Sequence, residues 1–213
     1  MLKYIMKKKL DAKSKIKKSA IKLFNENDSL SITTNHIAKE AGISPGNLYY
    51  HYKNKEEIIL DIYMELSSNF VGLNSFEKML LNENFFEAMD DMFNQYAKLF
   101  YEYRFLLRDA AVLIAFDPKL KEVFAKNQET RIKQIEGLLN YLINEGLLKN
   151  LNRTSLNKRA KLHWFITAYW QTFTSTTQEV NLESFHEAKE VFFEFMIYPN
   201  LTEKGKELLR QIN

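Results

Sequence analysis

Apolar residues recur at helical spacing along most of the chain. Within residues 10–26, Ile16, Ala20, Leu23 and Phe24 fall at i, i+4, i+7 and i+8, which places them on one face of a helix. The chain has only 6 Gly and 3 Pro, too few turn residues for a fold of many short strands. The pattern therefore predicts an all-α protein.

Two short helices are predicted after a polar loop at residues 25–31. Thr33 or Thr34 can cap the first, which runs through Ala41, and Gly42 provides a sharp turn at its end. These signals predict a tight connection to the helix that follows.

The second short helix spans residues 45–51. Ser44 can cap it, and Pro45 occupies the first helical position, where its missing N–H costs nothing. A longer helix follows, with Glu56 and Glu57 in its first turn, where the helix dipole favours acids.

The rest of the chain is predicted to form longer helices separated by Pro, Gly and Asn breaks. We place them near residues 82–101, 104–116, 118–145, 155–178, 184–197 and 201–212.

Composition narrows the class of protein. The 213 residues include no cysteine, which excludes a disulfide framework, Cys-based zinc sites and thiol catalysis. No apolar run is long enough to span a bilayer, and no signal sequence is recognisable, so we expect a cytoplasmic protein.

Charge divides the chain into two unequal parts. Residues 1–60 contain 12 Lys and 6 acids, a net of +6, whereas the remaining residues carry the balance of the overall +3, a net of −3. Residues 1–9 hold four lysines and are predicted to form a basic N-terminal arm, which is either a phosphate-binding element or merely solubilising. This asymmetry favours a polyanionic partner for the N-terminal part.

The segment SITTNHIAKEAGISPGNLYYHYKNK, residues 31–55, carries the most specific signal. Ile37, Ala41, Ile43 and Leu48 can form a small core with the first helix. The second short helix then presents its polar and aromatic side chains outward, as the recognition helix of a helix-turn-helix does.

With the helix before it, the run ITTNHIAKEAGISPGNLYYHYKNKEEII resembles the TetR family of bacterial transcriptional regulators. The resemblance implies an N-terminal three-helix helix-turn-helix DNA-binding domain, residues 1–54, and a helical effector-binding and dimerisation domain, residues 55–213. It also implies a homodimer whose two recognition helices enter successive major grooves of a palindromic double-stranded DNA operator, and a small molecule or other effector that releases the DNA. Our leading hypothesis is therefore a ligand-responsive repressor, with activation as the open alternative.

Carried over by position, the resemblance implies a set of DNA-binding residues. They are Thr33, Thr34, Asn35, Ser44, Pro45, Gly46, Asn47, Tyr49, Tyr50, His51 and Lys55. Asn47 can pair with an adenine, and no arginine is available in this part to read guanine, so we expect an A·T-rich operator core. The alternative is a DNA-associated adaptor with a protein or membrane-surface partner and no small-molecule effector.

Aromatic and basic residues of the C-terminal part are the candidates for binding the effector. They are Tyr103, Arg104, Arg108, Phe116, His163 and Tyr169. Arg108 and Asp109 interrupt an apolar helix, as either a structural ion pair or an anchor for an anionic ligand. His163 is either a ligand contact or a histidine of the core.

The last two long helices carry broad apolar stripes, and the resemblance assigns them to the dimer interface. The candidate residues are Trp170, Phe173, Thr174, Thr177, Phe192, Phe193 and Met196. The alternative is that these stripes cover only the core of one protomer.

The sequence offers no basis for catalysis. It contains no glycine-rich phosphate loop and no G-x-S-x-G, and its four histidines lack the spacing of metal ligands. We expect no cofactor, no metal site and no enzymatic activity.

Overall fold

The computed structural model describes residues 2–73, 85–150 and 152–210, and these form helices and their connections without a strand. The helices are α1 (Leu2–Glu26), α2 (Thr34–Glu40), α3 (Pro45–His51), α4 (Lys55–Leu73), α5 (Phe85–Glu102), α6 (Arg104–Arg108), α7 (Ala110–Phe116), α8 (Pro118–Asn144), α9 (Arg153–Thr174), α10 (Leu182–Phe192) and α11 (Glu203–Arg210). We call α1–α3 the head and α4–α11 the body. A π-helical segment, Phe193–Ile197, and a 3-10 turn, Tyr198–Asn200, connect α10 to α11. The all-α prediction is confirmed.

The first helix begins earlier than predicted. Helix α1 is continuous from Leu2, so the lysine-rich residues form its first turns and not a separate arm. No Gly or Pro interrupts this stretch, and Lys, Leu, Met and Ala are good helix formers, which explains the longer helix.

Three predicted helices of the body end or break differently. The helix predicted near 104–116 is divided into α6 and α7 at Asp109, whose backbone leaves the helical region. Helix α9 ends at Thr174, before the run of Ser and Thr that follows. The helix predicted near 184–197 becomes π-helical from Phe193. Residues 82–84 and 211–212, at the edges of two other predicted helices, lie outside the described part of the chain.

One core cluster joins the head to the first helix of the body. Ile16, Phe24, Ile37 and Leu48 are fully buried in it, together with Ile62 of α4. The head therefore packs directly on α4.

A buried polar contact fastens α9 to α10. The Ser184 hydroxyl donates to the Gln171 side-chain carbonyl at 2.6 Å, and the Gln171 amide donates to the Ser184 carbonyl at 3.1 Å. Because both side chains are almost completely buried, this pair fixes the register of the two helices.

No helix in the described part of the chain is long and apolar enough to cross a membrane.

Candidate functional site

Helix α2 begins at a reciprocal cap. The Thr33 hydroxyl accepts a hydrogen bond from the His36 backbone N–H, and His36 Nδ1 accepts one from the Thr33 N–H, both at 3.3 Å. Thr33 is thus used to define where α2 starts, and its neighbours Thr34 and Asn35 lie in the first turn.

The turn between α2 and α3 has the predicted chemistry. Gly42 adopts a φ of 65°, which L side chains rarely tolerate. Ser44 Oγ accepts from the Asn47 N–H at 3.2 Å and caps α3, with Pro45 in the first turn. Ala38 is fully buried, so the two short helices can approach closely. The turn and the start of α3 therefore follow from local signals, and the burial of Leu48 holds α3 against the core.

Helix α3 presents polar and aromatic side chains to solvent. Asn47, Tyr49 and Tyr50 are exposed, and the side chain of Asn47 makes no hydrogen bond with any described residue. The Tyr49 hydroxyl lies 3.0 Å from Thr34 Oγ1, which joins the outer faces of α2 and α3. We define the recognition face as the outward residues of the two helices: Thr34, Asn35, Ser44, Pro45, Gly46, Asn47, Tyr49 and Tyr50.

Two residues predicted to contact DNA are placed differently. The Lys55 amine donates to the Ser29 and Leu30 carbonyls at 3.0 and 3.1 Å, so it ties the start of α4 to the loop before α2. His51 is half-buried at the end of α3, and its ring meets the edge of Tyr50 at 5.1 Å. Lys55 is held by the chain itself because it lies at the base of the head and not on its outer surface.

The body encloses a cavity of about 160 Å³. It lies among α4, α5, α6, α8, α9 and α10, and aromatic and aliphatic side chains form most of its wall. Among the described residues no Asp or Glu lines it, whereas Arg131 and Lys189 do. The Lys189 amine forms a salt bridge with Asp90 at 2.8 Å. Arg131 has no such carboxylate partner among the described residues.

Arg131 lies at the inner side of α8 and is only 8% exposed. Its guanidinium donates to the Gln134 side-chain oxygen at 2.7 Å and stacks over the Phe70 ring at 4.0 Å. No carboxylate of the described residues forms a salt bridge with it. Burial lowers the pKa of the Arg131 guanidinium, which nonetheless remains a cation at neutral pH.

Two further polar groups in the cavity wall have no hydrogen-bond partner among the described residues. They are His163 Nδ1 and the Trp164 indole N–H, both buried. Burial lowers the pKa of His163 to about 4, so the ring is neutral at pH 7. The His163 ring also contacts the edge of Phe192 at 4.2 Å. His163 therefore packs in the core and also lines the cavity. A contact between His163 and a ligand stays a prediction.

The other predicted effector residues lie outside the cavity. The Tyr103 hydroxyl donates to Glu65 of α4 at 2.9 Å. The Arg104 guanidinium stacks on the Tyr101 ring at 4.5 Å. Phe116 is 74% exposed at the end of α7, and Tyr169 packs beside Phe165 on the outer face of α9. The sequence shows that these residues are aromatic or basic but not which side of the helix faces inward. Their role in effector binding stays a prediction that the cavity does not support.

Arg108 connects the body to the head. Its guanidinium holds Asp109 through two bonds of 2.7 Å and donates to the Phe24 and Asn27 carbonyls at 3.0 and 2.8 Å. All these partners lie away from the cavity, and the contact with Asp109 is the structural ion pair that the sequence offered as one alternative. The anchoring of an anionic ligand by Arg108 stays a prediction, which these contacts do not favour.

The predicted dimer-interface residues fall into two groups. Phe192, Phe193 and Met196 are buried in the core of the protomer, and Thr174 is also buried. Phe173 is 66% exposed, and Thr177 and part of Trp170 are accessible as well. The buried group therefore packs in the protomer's own core, as the alternative for these stripes proposed. A dimer interface formed by the exposed group stays a prediction.

Sequence reasoning missed Arg131, although a signal for it exists. Helix α8 has an inward stripe that includes Phe124, Ile135 and Leu138, and Arg131 occupies the same stripe at the spacing expected for an apolar residue. Apart from Ile132, the residues on either side of Arg131 are polar, which made the stretch look solvent-exposed.

Two family models match the chain. The model described as "Bacterial regulatory proteins, tetR family" matches residues 16–62, and the model "TetR: Bacterial transcriptional repressor" matches residues 73–209. Together they cover most of the head and most of the body.

Individual relatives match only part of the chain. The chain is 43% identical over 53 residues to the HTH-type transcriptional regulator QacR of Staphylococcus aureus, covering 25% of this chain and 28% of that protein. It is 32% identical over 66 residues to the fatty acid metabolism regulator protein of Bacillus subtilis, covering 31% of this chain and 34% of that protein. The matched segments thus span about a third of the length of these relatives.

One solved structure resembles nearly the whole chain. A TetR-family transcriptional regulator from Marinobacter aquaeolei VT8 superposes with a TM-score of 0.79 at 26% identity, over 93% of this chain and 96% of that one. A fatty acid degradation regulator from Bacillus halodurans has a TM-score of 0.64 at 13% identity, over 87% and 96%, which shows a shared fold.

Proposed function

Because the chain belongs to the TetR family of bacterial transcriptional regulators, we propose that it is a repressor that binds a palindromic operator as a homodimer and releases it when a small molecule occupies the body. Membership makes the chain a DNA-binding regulator and not an enzyme. Features of the head and of the body support the operator, the dimer and the release by a small molecule.

The recognition face supports operator binding. Helix α3 is capped, short and exposed, and it carries Asn47 with its amide unoccupied. An Asn side chain can pair bidentately with adenine in the major groove, where an α-helix fits. We expect Thr34 and Asn35, in the first turn of α2, to contact the adjacent DNA backbone. This exposed, preorganised helix is the observation on which the DNA-binding proposal chiefly depends.

A selection of binding sites from random or genomic DNA tests the proposal. We expect an inverted repeat with half-sites about one helical turn apart and an A·T-rich core. Asn47→Ala should weaken binding to that site, and Asn140→Ala, on the exposed side of α8, serves as the matched control. Recovery of no common sequence, with equal binding to all DNA, would refute the operator proposal.

Helix α6 provides a route from the cavity to the head. Leu106 and Leu107 line the cavity, whereas Phe105 and Arg108 of the same short helix contact α1. The Phe24 and Phe105 rings lie 4.9 Å apart. A ligand that displaces α6 would therefore tilt α1 and change the distance between the two recognition helices of a dimer.

An exposed apolar row supports dimerisation. Leu162, Phe165 and Phe173 share the outer face of α9 and are 47%, 59% and 66% exposed. Phe195 and Tyr198 are exposed on the neighbouring connection, which Arg159 of α9 contacts through the Met196 carbonyl. Large contiguous apolar surface of this kind usually marks an interface.

Sedimentation of the purified protein tests this surface. We expect a dimer at micromolar concentration and a monomer for Phe165→Glu. Phe116→Glu, which changes a still more exposed phenylalanine on α7, should leave the dimer intact. A wild-type monomer at that concentration would contradict the proposed dimer.

The adaptor alternative makes a different prediction. A head that binds a membrane surface would bring the protein down with anionic vesicles, whereas the recognition face predicts retention of the protein by operator DNA alone. Vesicle flotation and an operator gel shift on the same preparation separate the two.

A further inference from the structure

The cavity wall has an electrostatic imbalance. Arg131 contributes a buried positive charge, Lys189 is already paired with Asp90, and no acid of the described residues lines the space. An isolated buried charge is costly unless a partner neutralises it. The partner that would balance this wall is therefore an anion that enters with the ligand.

The groups beside the cavity also favour an anion over a cation. A guanidinium, an indole N–H and a neutral imidazole can all donate hydrogen bonds, and Trp164 Nε1 and His163 Nδ1 lack partners in the described structure. A cationic ligand would meet the uncompensated Arg131 charge and would find no carboxylate in the described wall.

The rest of the wall defines the body of the ligand. Aromatic rings dominate it, with Phe70 stacked on Tyr96 and on Phe100 at 4.3 and 5.5 Å. A volume of about 160 Å³ is comparable to cavities that hold benzene, roughly one ring or a short chain. The wall thus fits a small, mainly apolar molecule.

Resting on the function proposed above, we propose that this cavity binds a small monocarboxylate with an apolar body, and that the ligand's carboxylate pairs with the Arg131 guanidinium. One guanidinium matches one negative charge, and its planar fork matches the two carboxylate oxygens. A phosphate monoester, with a second negative charge, would leave that charge buried and unbalanced.

The Arg131–Gln134 bond and the Phe70 stack hold the guanidinium in place before a ligand arrives. This arrangement reduces the side-chain entropy that binding has to overcome. Gln134 and Phe70 are thus positioning residues for the anion site.

The test measures binding of octanoate and benzoate to the full chain without DNA, by calorimetry and thermal shift, beside octan-1-ol and benzyl alcohol. At least one carboxylate should bind tenfold or more tightly than its alcohol, on the order expected for a charge-assisted bond. Arg131→Met should lose at least about tenfold in affinity for that carboxylate and change alcohol binding little.

Matched variants separate anion binding from loss of structure. Arg104→Met removes a guanidinium that lies outside the cavity and should leave carboxylate binding unchanged. Arg131→Lys keeps the charge and should retain part of the affinity. Without ligand, Arg131→Met should be at least as heat-stable as the wild type, because it removes an unbalanced buried charge.

The proposal is overturned if neither carboxylate binds more tightly than its alcohol, or if Arg131→Met binds the carboxylate as the wild type does. An operator gel shift on the same preparations distinguishes this failure from failure of the regulator proposal. Operator binding without carboxylate binding would refute only the ligand class, and carboxylate binding without an operator would refute only the DNA-binding function.

Discussion

The junction between head and body and the cavity inside the body each hold a largely buried arginine, but the two arginines are satisfied differently. Arg108 is paired with Asp109 and donates to two carbonyls of the head. Arg131 has one amide partner and an aromatic ring and no carboxylate among the described residues. Arg108 stabilises the fold, whereas Arg131 is available to pair with the anion of a bound ligand.

The same contrast occurs on the head. Lys55 is occupied by two backbone carbonyls, whereas the Asn47 side chain is unoccupied. Polar groups whose partners are within the chain stabilise the fold, and those without partners are the candidates for recognition. Replacing members of both classes tests this distinction.

The largest effect is expected for Arg108→Met. It leaves Asp109 buried without its partner and frees two carbonyls, so the unfolding free energy should fall by about 3 kcal/mol. Denaturant titration measures this loss, with Arg104→Met as the control, which should change stability by less than about 0.5 kcal/mol. A loss for Arg131→Met as large as that for Arg108→Met would break the comparison.

A smaller effect is expected from His163 and depends on pH. Its pKa is lowered to about 4 from 6.5, so the unfolded chain binds more protons between these values and stability falls as the pH decreases. From pH 7 to pH 4 the loss due to His163 should be about 2 kcal/mol, allowing for its partial exposure.

His163→Leu should remove this part of the pH dependence. His186→Leu, a second histidine of the cavity wall, is the control. Denaturant titrations at pH 7, 5.5 and 4 measure the slopes, and an unchanged slope in His163→Leu would show that the ring is not held neutral by burial.

Asn47→Ala tests a polar side chain of the head that has no hydrogen-bond partner among the described residues. Loss of a bidentate base contact should weaken operator binding by about 1–2 kcal/mol, roughly tenfold, at constant salt. Because the side chain makes no bond within the described residues, the unfolding free energy should stay within about 0.5 kcal/mol. Equal weakening on operator and on random DNA would indicate a phosphate contact and not a base contact.

Lys55→Met should give the opposite and smallest result. Stability should decrease by about 1 kcal/mol because two loop carbonyls lose their donor. The dependence of operator affinity on salt should not change, since a true phosphate contact would reduce the log–log slope by about 0.9. A reduced slope would return Lys55 to the DNA-contacting residues.

The head was largely predictable because its signals are local. Gly42, Ser44 and Pro45 determine the turn and the start of α3 within a few residues, and α3 was predicted with the bounds that the structure shows. Whether Asn47 contacts DNA stays a prediction.

The cavity was not predictable in the same way. Which face of α8 lines a space depends on how α4, α5 and α9 pack around it, and a polar sequence around Arg131 concealed its inward position. The π-helical segment from Phe193 to Ile197 departs from the period of 3.6 residues, so periodicity does not anticipate which of its residues are buried.

Helix α9 has one face in the cavity, at His163 and Trp164, and its opposite side is the exposed apolar row with Phe165 and Phe173. In a dimer formed through that row, only two helix diameters would separate the two ligands, about 20 Å. Each ligand would then press on a wall shared with the other subunit. We therefore expect a dose–response curve steeper than simple saturation, so that gene expression would change over a narrow range of ligand concentration.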